Sequence, residues 1–155
     1  MSIEPTSAII NPSTQLQVIL KWVEGMAKAD FAMLESVILD DFIQEAYPVN
    51  LRLPALTSKT AFIDHVKQIL PVFSNFQMSL NCPKSMKSLI HLVIHANATA
   101  DTSINFDYVN EYIIIFFIAE QGGKLVLTKV KEFIDSKFTA GFIEALQKTG
   151  RLGKI

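Results

Sequence analysis

Glu111 interrupts the most apolar run of the chain, in "YVNEYIIIFF", and a second glutamate, Glu132, lies in the predicted strand that follows, in "VKEFIDS". A carboxyl group in an apolar pocket is driven towards its neutral form, which raises its pKa towards the range where it can both take and give a proton near pH 7. Enolisation, dehydration and cyclisation need such a group. The alternative is that each glutamate reaches the rim of the core, a backbone N–H or a lysine.

Two histidines stand four residues apart in "HLVIH", His91 and His95. On a helix this spacing is typical of metal binding, but here it lies in a predicted strand. Four strand residues span ~13 Å, too far for two imidazoles to share one ion, so we expect no zinc site. His95 is the better acid/base candidate, or else a hydrogen-bonded sheet histidine without a chemical role. We expect His65 on a helix surface.

The turn "QGGK" sets the predicted register of the last two strands. With Gly122 and Gly123 as a two-residue turn, Glu111 lies opposite Ile134, and Glu132 lies on the same sheet face as Glu111. Phe117 shares this face. A three-residue turn would separate the two glutamates.

Aromatic residues with a polar tip provide further ligand-binding candidates, namely Trp22, Tyr47, Tyr108 and Tyr112. Such residues can present an N–H or a hydroxyl to a pocket, although many are core residues with one satisfied polar group. The chain has no G-x-S-x-G or G-x-G-x-x-G motif, and Cys82 in "NCPK" has no evident base partner. Nucleophilic and nucleotide chemistry therefore lack support.

Helix signals precede strand signals along the chain. Capping patterns and apolar stripes predict a first helix capped by Thr14 with Gln17 three residues on, a short second helix capped by Asp30 and a third opened by Ser58 that ends before Pro71. A brief strand precedes Pro48, and four strands follow at about 74–81, 88–100, 107–120 and 124–135. An amphipathic helix closes the chain at Gly150. This order predicts an α+β fold in which a curved antiparallel sheet has its helices on one face.

Composition limits the partners of the protein. The 155 residues suit one domain, and a formal net charge of -1 without a basic block makes nucleic acid an improbable partner. The longest apolar run is far short of the ~20 residues of a membrane span, and the N-terminus lacks a secretory signal. We expect a cytoplasmic protein. Half of the residues are hydrophobic, with 11 phenylalanines, so we expect some of them to line a cavity or a subunit interface. Both faces of the long strand at about 107–120 need cover, which predicts a homodimer that packs through the sheet.

Three segments resemble the SnoaL-like branch of the nuclear transport factor 2-like superfamily, in particular its small fungal members. They are "LPALTSKTAFIDHV", "VNEYIIIF" and "GGKLVLTKVKEFIDS", and the resemblance covers residues 13–146 of a single domain spanning 1–155, with its core at about 13–148. The resemblance implies a cone-shaped sheet with an open cavity, no metal or organic cofactor, and acid/base chemistry on a bound small molecule. Its motifs place Asn110, Glu111, Tyr112, Glu132 and Asp135 at the site.

The sequence thus predicts a cofactor-independent lyase or isomerase, similar to polyketide cyclases or dehydratases, acting on a hydrophobic small molecule. In this hypothesis Glu132 or Glu111 moves a proton, His95 assists, and Tyr112 or Tyr47 polarises an oxygen. The alternative is a non-catalytic dimeric carrier of the same fold. A protein-interaction adaptor is less favoured, because no sequence feature marks a peptide groove.

Overall fold

The computed structural model describes residues 13–81 and 91–150, and all structural statements concern these residues. Their α-helices are α1 (Thr14–Lys28), α2 (Phe31–Val37), α3 (Lys59–Ile69) and α4 (Ser136–Lys148). Their strands are β1 (Ile38–Tyr47), β2 (Phe73–Asn81), β3 (His91–Thr102), β4 (Tyr108–Gln121) and β5 (Lys124–Ile134). Short 3₁₀ helices occupy Val49–Leu51 and Leu70–Val72. Residues 88–90 of the predicted third strand, and Cys82, lie outside the described residues.

Each helix begins at a residue whose side chain caps it. Asp30 and Ser58 accept hydrogen bonds from backbone N–H groups three residues on, as the sequence predicted. At α1 the prediction is wrong by one residue, because Ser13 rather than Thr14 is the cap and accepts from the Leu16 N–H at 3.2 Å. None of these helices is both long and apolar enough to cross a membrane.

The five strands form one sheet in the order β1-β5-β4-β3-β2. The α+β prediction is confirmed, but the sheet is mixed, because β1 runs parallel to β5 while the other neighbours are antiparallel. The inner face of the sheet packs against helices. There Trp22 of α1 lies edge-on to Phe116 of β4 at 5.6 Å and stacks with Phe62 of α3 at 6.4 Å.

The turn between β4 and β5 has the predicted two residues, but the predicted register does not hold along the whole hairpin. Gly122 and Gly123 have φ of 59° and 76°, as a tight hairpin turn requires, and Gln121 pairs with Lys124. At a β-bulge, Thr128 then has no paired residue in β4, since Ile118 pairs with Leu127 and Phe117 with Lys129.

Because of this bulge, each residue of β5 after Thr128 faces the side of the sheet opposite to the one predicted. Glu132 pairs with Ile114 instead of Ile113, and Ile134 pairs with Tyr112 instead of Glu111. Glu132 therefore lies on the inner face of the sheet and Glu111 on the outer face. The prediction that the two glutamates share a face is wrong, because the turn was identified correctly but the extra residue was not.

Gly25 allows α1 and α2 to approach closely. A Cβ atom at this position would lie 2.9 Å from both Cγ and Cδ2 of Leu34, a fully buried side chain. Glycine in a helix interior lowers stability by ~1 kcal/mol relative to alanine, so close packing is the physical reason for its presence.

Gly25→Ala is therefore expected to lower the free energy of unfolding by about 1–3 kcal/mol, because overpacking against Leu34 outweighs the gain in helix propensity. Urea denaturation followed by circular dichroism measures the change. Ala27→Gly, at an exposed position of the same helix, is the matched control and tests propensity alone. A Gly25→Ala protein more stable than wild type would contradict the packing argument.

Candidate active site

A cavity of about 300 Å³ lies between the inner face of the sheet and the helices. Most of its wall is apolar, with Leu70, Phe73, Phe76, Met78 and Phe142 among the lining residues. The polar groups in the wall belong to a small set of side chains: Trp22, Gln44, His65, Tyr108, Asn110, Tyr112, Glu132 and Thr139. An apolar cavity with a few convergent polar groups is the usual form of a small-molecule site.

Glu132 lies in this wall because of the bulge in β5. Its side chain is half-buried, and burial raises its pKa to about 7. A hydrogen bond from Gln44 acts in the opposite direction, since it stabilises the carboxylate. Near neutral pH Glu132 is therefore present in both protonated and ionised forms, as a group that exchanges protons requires.

Gln44 is held in place by its backbone. It exchanges two hydrogen bonds with Leu56 in the loop before α3, at 2.8 and 2.9 Å, and pairs with Val130 of β5 in the sheet. β1 thus presents the Gln44 amide beside Glu132, while the loop closes one side of the cavity with Leu53, Pro54 and Leu56.

The hydroxyl groups of Tyr108 and Tyr112 hydrogen-bond to each other inside the cavity wall. Asn110 supports them, because its Nδ2 donates to the Tyr108 hydroxyl at 3.4 Å and to Thr139 Oγ1 at 3.2 Å. Burial raises the pKa of both tyrosines above the ordinary value, so both hydroxyls keep their protons at neutral pH. Two hydroxyls that share one hydrogen bond have one proton left, which can be donated to a ligand oxygen.

His65 of α3 is exposed, as the sequence predicted, yet it also lines the cavity. The side of its ring that faces the cavity is withdrawn from water, and this partial burial lowers its pKa, which favours the neutral imidazole at neutral pH. No sequence signal marks this role, since one histidine on an amphipathic helix is ordinarily solvated.

Glu111 and His95 lie on the outer face of the sheet, outside the cavity. His95 Nε2 is 2.6 Å from Glu111 Oε1, and Asn81 Nδ2 is 2.9 Å from His95 Nδ1. Their assignment to one site with Glu132 must be corrected, because the bulge at Thr128 puts Glu132 on the opposite face.

Three predicted ligand-binding residues also lie outside the cavity lining. Phe117 is on the outer face of β4, and Asp135 caps α4 by accepting a hydrogen bond from the Phe138 N–H at 3.0 Å. Tyr47 stacks on Phe133 with a ring separation of 4.8 Å. Phe117 is outside the cavity because alternate residues of a strand point to opposite faces of the sheet. Asp135 is outside because its side chain caps α4, and Tyr47 because its ring stacks on a neighbouring strand at the sheet edge.

The structure brings Trp22, Asn110, Tyr112 and Glu132 together in the cavity wall. Sequence reasoning gave no site role to Gln44 and Thr139, which carry ordinary amide and hydroxyl groups in amphipathic elements. Within the described residues, no three His, Cys, Asp or Glu side chains are gathered so as to hold a metal ion.

Comparisons with known proteins agree with this architecture. No protein-family model matches the chain. The monooxygenase ptaG of Pestalotiopsis fici is 22% identical over 135 residues, which cover 87% of this chain and 92% of ptaG. The BvnE pinacolase of Penicillium brevicompactum superimposes with a TM-score of 0.70 at 21% identity, covering 89% of this chain and 99% of that protein.

A SnoaL-like polyketide cyclase from Shewanella denitrificans has a TM-score of 0.70 at 9% identity, covering 86% of this chain and 99% of its own. The protein therefore has the SnoaL-like form of the nuclear transport factor 2-like fold. The BvnE protein is a fungal protein that shares this architecture.

The raised pKa of Glu132 predicts a specific pH dependence of stability. The folded protein holds the Glu132 proton up to a pKa of about 7, whereas the unfolded chain loses it near 4.5, so folding binds a proton between these values. Relative to Glu132→Gln, the unfolding free energy of the wild type is expected to fall by roughly 3 kcal/mol between pH 4.5 and 8. Urea unfolding at several pH values measures this difference.

The matched control is Glu144→Gln, at an exposed position of α4. Lys148 lowers the pKa of Glu144, so this residue titrates below the tested window and its substitution should leave the pH trend unchanged. A constant difference between wild type and Glu132→Gln across the pH range would contradict the raised pKa.

Proposed function

We propose that the protein is an acid/base lyase or isomerase that acts, without a cofactor, on a hydrophobic carbonyl compound bound in the cavity. One observation carries this proposal. Glu132, with a pKa of about 7, shares an apolar cavity with a pair of tyrosine hydroxyls that has one proton left to donate.

The Tyr108–Tyr112 pair would bind the carbonyl oxygen of the substrate and stabilise the negative charge that develops there. The ionised form of Glu132 would remove a proton from the carbon beside that carbonyl, and the electrons of the broken C–H bond would form the enolate. Protonated Glu132 would then return the proton to the carbon skeleton or to a leaving hydroxyl group, which departs as water. Asn110 positions the tyrosine pair through its hydrogen bond to Tyr108.

His65 is the second titratable group suited to proton transfer. It is neutral near pH 7, lines the cavity and is exposed to solvent, so it could pass protons between the cavity and bulk water. This role replaces the one that the sequence assigned to His95.

The side chains that line the cavity favour an uncharged substrate over an anionic one. No lysine or arginine is among the described residues that line it. A carboxylate or phosphate bound there would have no cationic partner, and burial of an unpaired charge is costly.

The activities for which the similar proteins of known structure are named support this reaction class. A pinacolase and a polyketide cyclase share the fold, and names of this kind fit rearrangement of carbon skeletons rather than group transfer. The ptaG relative is named a monooxygenase, so the proposal rests on Glu132 and the tyrosine pair and not on that name.

Exchange of α-protons for deuterium tests the proposal without knowledge of the natural substrate. In D₂O the protein is expected to accelerate the exchange of the α-protons of 1-decalone, a neutral two-ring ketone, followed by NMR. Glu132→Gln should slow exchange about 100-fold because the proton acceptor is lost, and Tyr112→Phe should slow it by a similar factor.

Glu111→Gln is the matched control, because this glutamate lies outside the cavity and its loss should leave the exchange rate unchanged. Binding of 1-decalone without any accelerated exchange would support the alternative, a non-catalytic carrier. Equal rates for wild type and Glu132→Gln would contradict the role of Glu132.

We also propose that a second copy of the chain covers the outer face of the sheet. Four large apolar side chains are exposed there, Val93, Val109, Ile113 and Phe133, with exposed fractions from 42% to 65%. The same face carries acidic and basic groups, with Glu45 paired to Lys129 at 3.0 Å at one side and Glu111 paired to His95 at the other. A surface with both signs of charge can complement its own copy across a two-fold axis.

Ile113→Lys is expected to convert such a dimer into a monomer, because it places a charge in the centre of the apolar face. Light scattering coupled to size-exclusion chromatography measures the mass. Val49→Lys, at an exposed apolar position outside the sheet, is the control and should leave the mass unchanged. A monomeric wild type would overturn this part of the proposal.

A further inference from the structure

Two buried polar side-chain atoms in residues 13–81 and 91–150 have no hydrogen-bond partner in the protein, Trp22 Nε1 and Gln44 Oε1. Both belong to residues of the cavity wall. Buried polar groups are nearly always hydrogen-bonded, and an unsatisfied group costs roughly 1–3 kcal/mol. Their shared location at the cavity indicates that the missing partner is a bound molecule.

The sheet register puts the two residues near each other. Gln44 of β1, Val130 of β5 and Phe116 of β4 form one row across the inner face, and Trp22 packs on Phe116 with a ring distance of 5.6 Å. Neighbouring strands lie about 4.8 Å apart, so the Cα atoms of Gln44 and Phe116 are about 10 Å apart. One small ligand can therefore reach both side chains.

The chemistry of the two atoms specifies the missing partner. The Trp22 indole N–H can only donate a hydrogen bond, and the carbonyl oxygen of Gln44 can only accept one, while its Nε2 is engaged with Glu132. A hydroxyl group both accepts and donates. An ether or a ketone would satisfy Trp22 alone.

We propose that Trp22 and Gln44 form a hydroxyl-binding subsite, so that the substrate is a neutral hydroxy-ketone whose alcohol binds there while its carbonyl oxygen binds to the Tyr108–Tyr112 pair. This rests on the proposed function in placing the ligand in the cavity. The subsite also fixes the ligand beside Glu132, because Gln44 contacts both the alcohol and the Glu132 carboxyl group.

The cavity volume guides the choice of probes. A cavity of about 150 Å³ accepts one benzene ring, so about 300 Å³ accommodates two rings. Suitable probes are 1-decalone, the hydroxy-1-decalones that carry the alcohol at each available ring position, and a decalin carboxylic acid of the same size.

Isothermal titration calorimetry is expected to show that at least one hydroxy-1-decalone binds about tenfold more tightly than 1-decalone, and that the acid binds most weakly. Trp22→Phe, which keeps an aromatic ring and removes the N–H, should reduce this preference, as should Gln44→Met. Met26→Leu, in an apolar part of the wall, is the control and should preserve the ratio. Equal affinity for every hydroxy-1-decalone and 1-decalone, or no binding of either, would overturn the subsite.

A second measurement needs no variant. Trp22 is the single tryptophan of the chain, so its indole N–H gives one NMR signal. The tightest hydroxy-1-decalone should shift this signal downfield and slow its exchange with water. 1-Decalone, whose single oxygen binds to the Tyr108–Tyr112 pair, should change the signal less. An unchanged signal in the saturated complex would overturn the role of Trp22.

Measurements of binding and of deuterium exchange distinguish the proposed acid/base function from the proposed hydroxyl-binding subsite. Preferential binding of a hydroxy-1-decalone without deuterium exchange would contradict the acid/base function and leave the subsite intact. Exchange of 1-decalone without a hydroxyl preference would support the function and contradict the subsite.

Discussion

The bulge at Thr128 decides which side of the sheet holds the carboxyl group on which the candidate chemistry depends. The hairpin from Gly122 alternates regularly, and without the additional residue Glu132 would face outward beside Glu111. With it, Glu132 enters an apolar cavity and its pKa rises to about 7. Bulges often occur where a strand must redirect a functional side chain, and this one places a proton donor and acceptor opposite the helices.

The cavity concentrates its polar groups in two arrangements. One is the Tyr108–Tyr112 pair, supported by Asn110 and Thr139, and the other is Glu132 with Gln44. The first arrangement joins β4 to α4, whereas the second joins strands that are remote in sequence, since β1 lies parallel to β5 and presents Gln44 to the carboxyl group. The helices that cover these groups restrict water, and this burial raises the pKa of Glu132.

The outer face of the sheet also carries a glutamate with hydrogen-bonding neighbours, but in a different environment. His95, Glu111 and Asn81 form hydrogen bonds at 2.6 and 2.9 Å in a solvent-exposed setting. A His–Glu contact alone therefore does not define a catalytic site, because this pair lies on the face of the sheet opposite the cavity in which a ligand would bind. Position in the fold, rather than residue type, distinguishes Glu132 from Glu111.

The sequence by itself determined the α+β class, the caps at Asp30 and Ser58, the Gly122–Gly123 turn and the candidacy of Trp22, Asn110, Tyr112 and Glu132. These features follow from local rules, since periodicity, capping and turn geometry involve residues a few positions apart. Only the tertiary structure decided that Glu132 faces inward, that Glu111 and His95 do not, and that Gln44 and His65 line the cavity. A bulge depends on the fit between whole strands, and the wall of a cavity depends on which distant elements meet, so neither leaves a short-range pattern in the sequence.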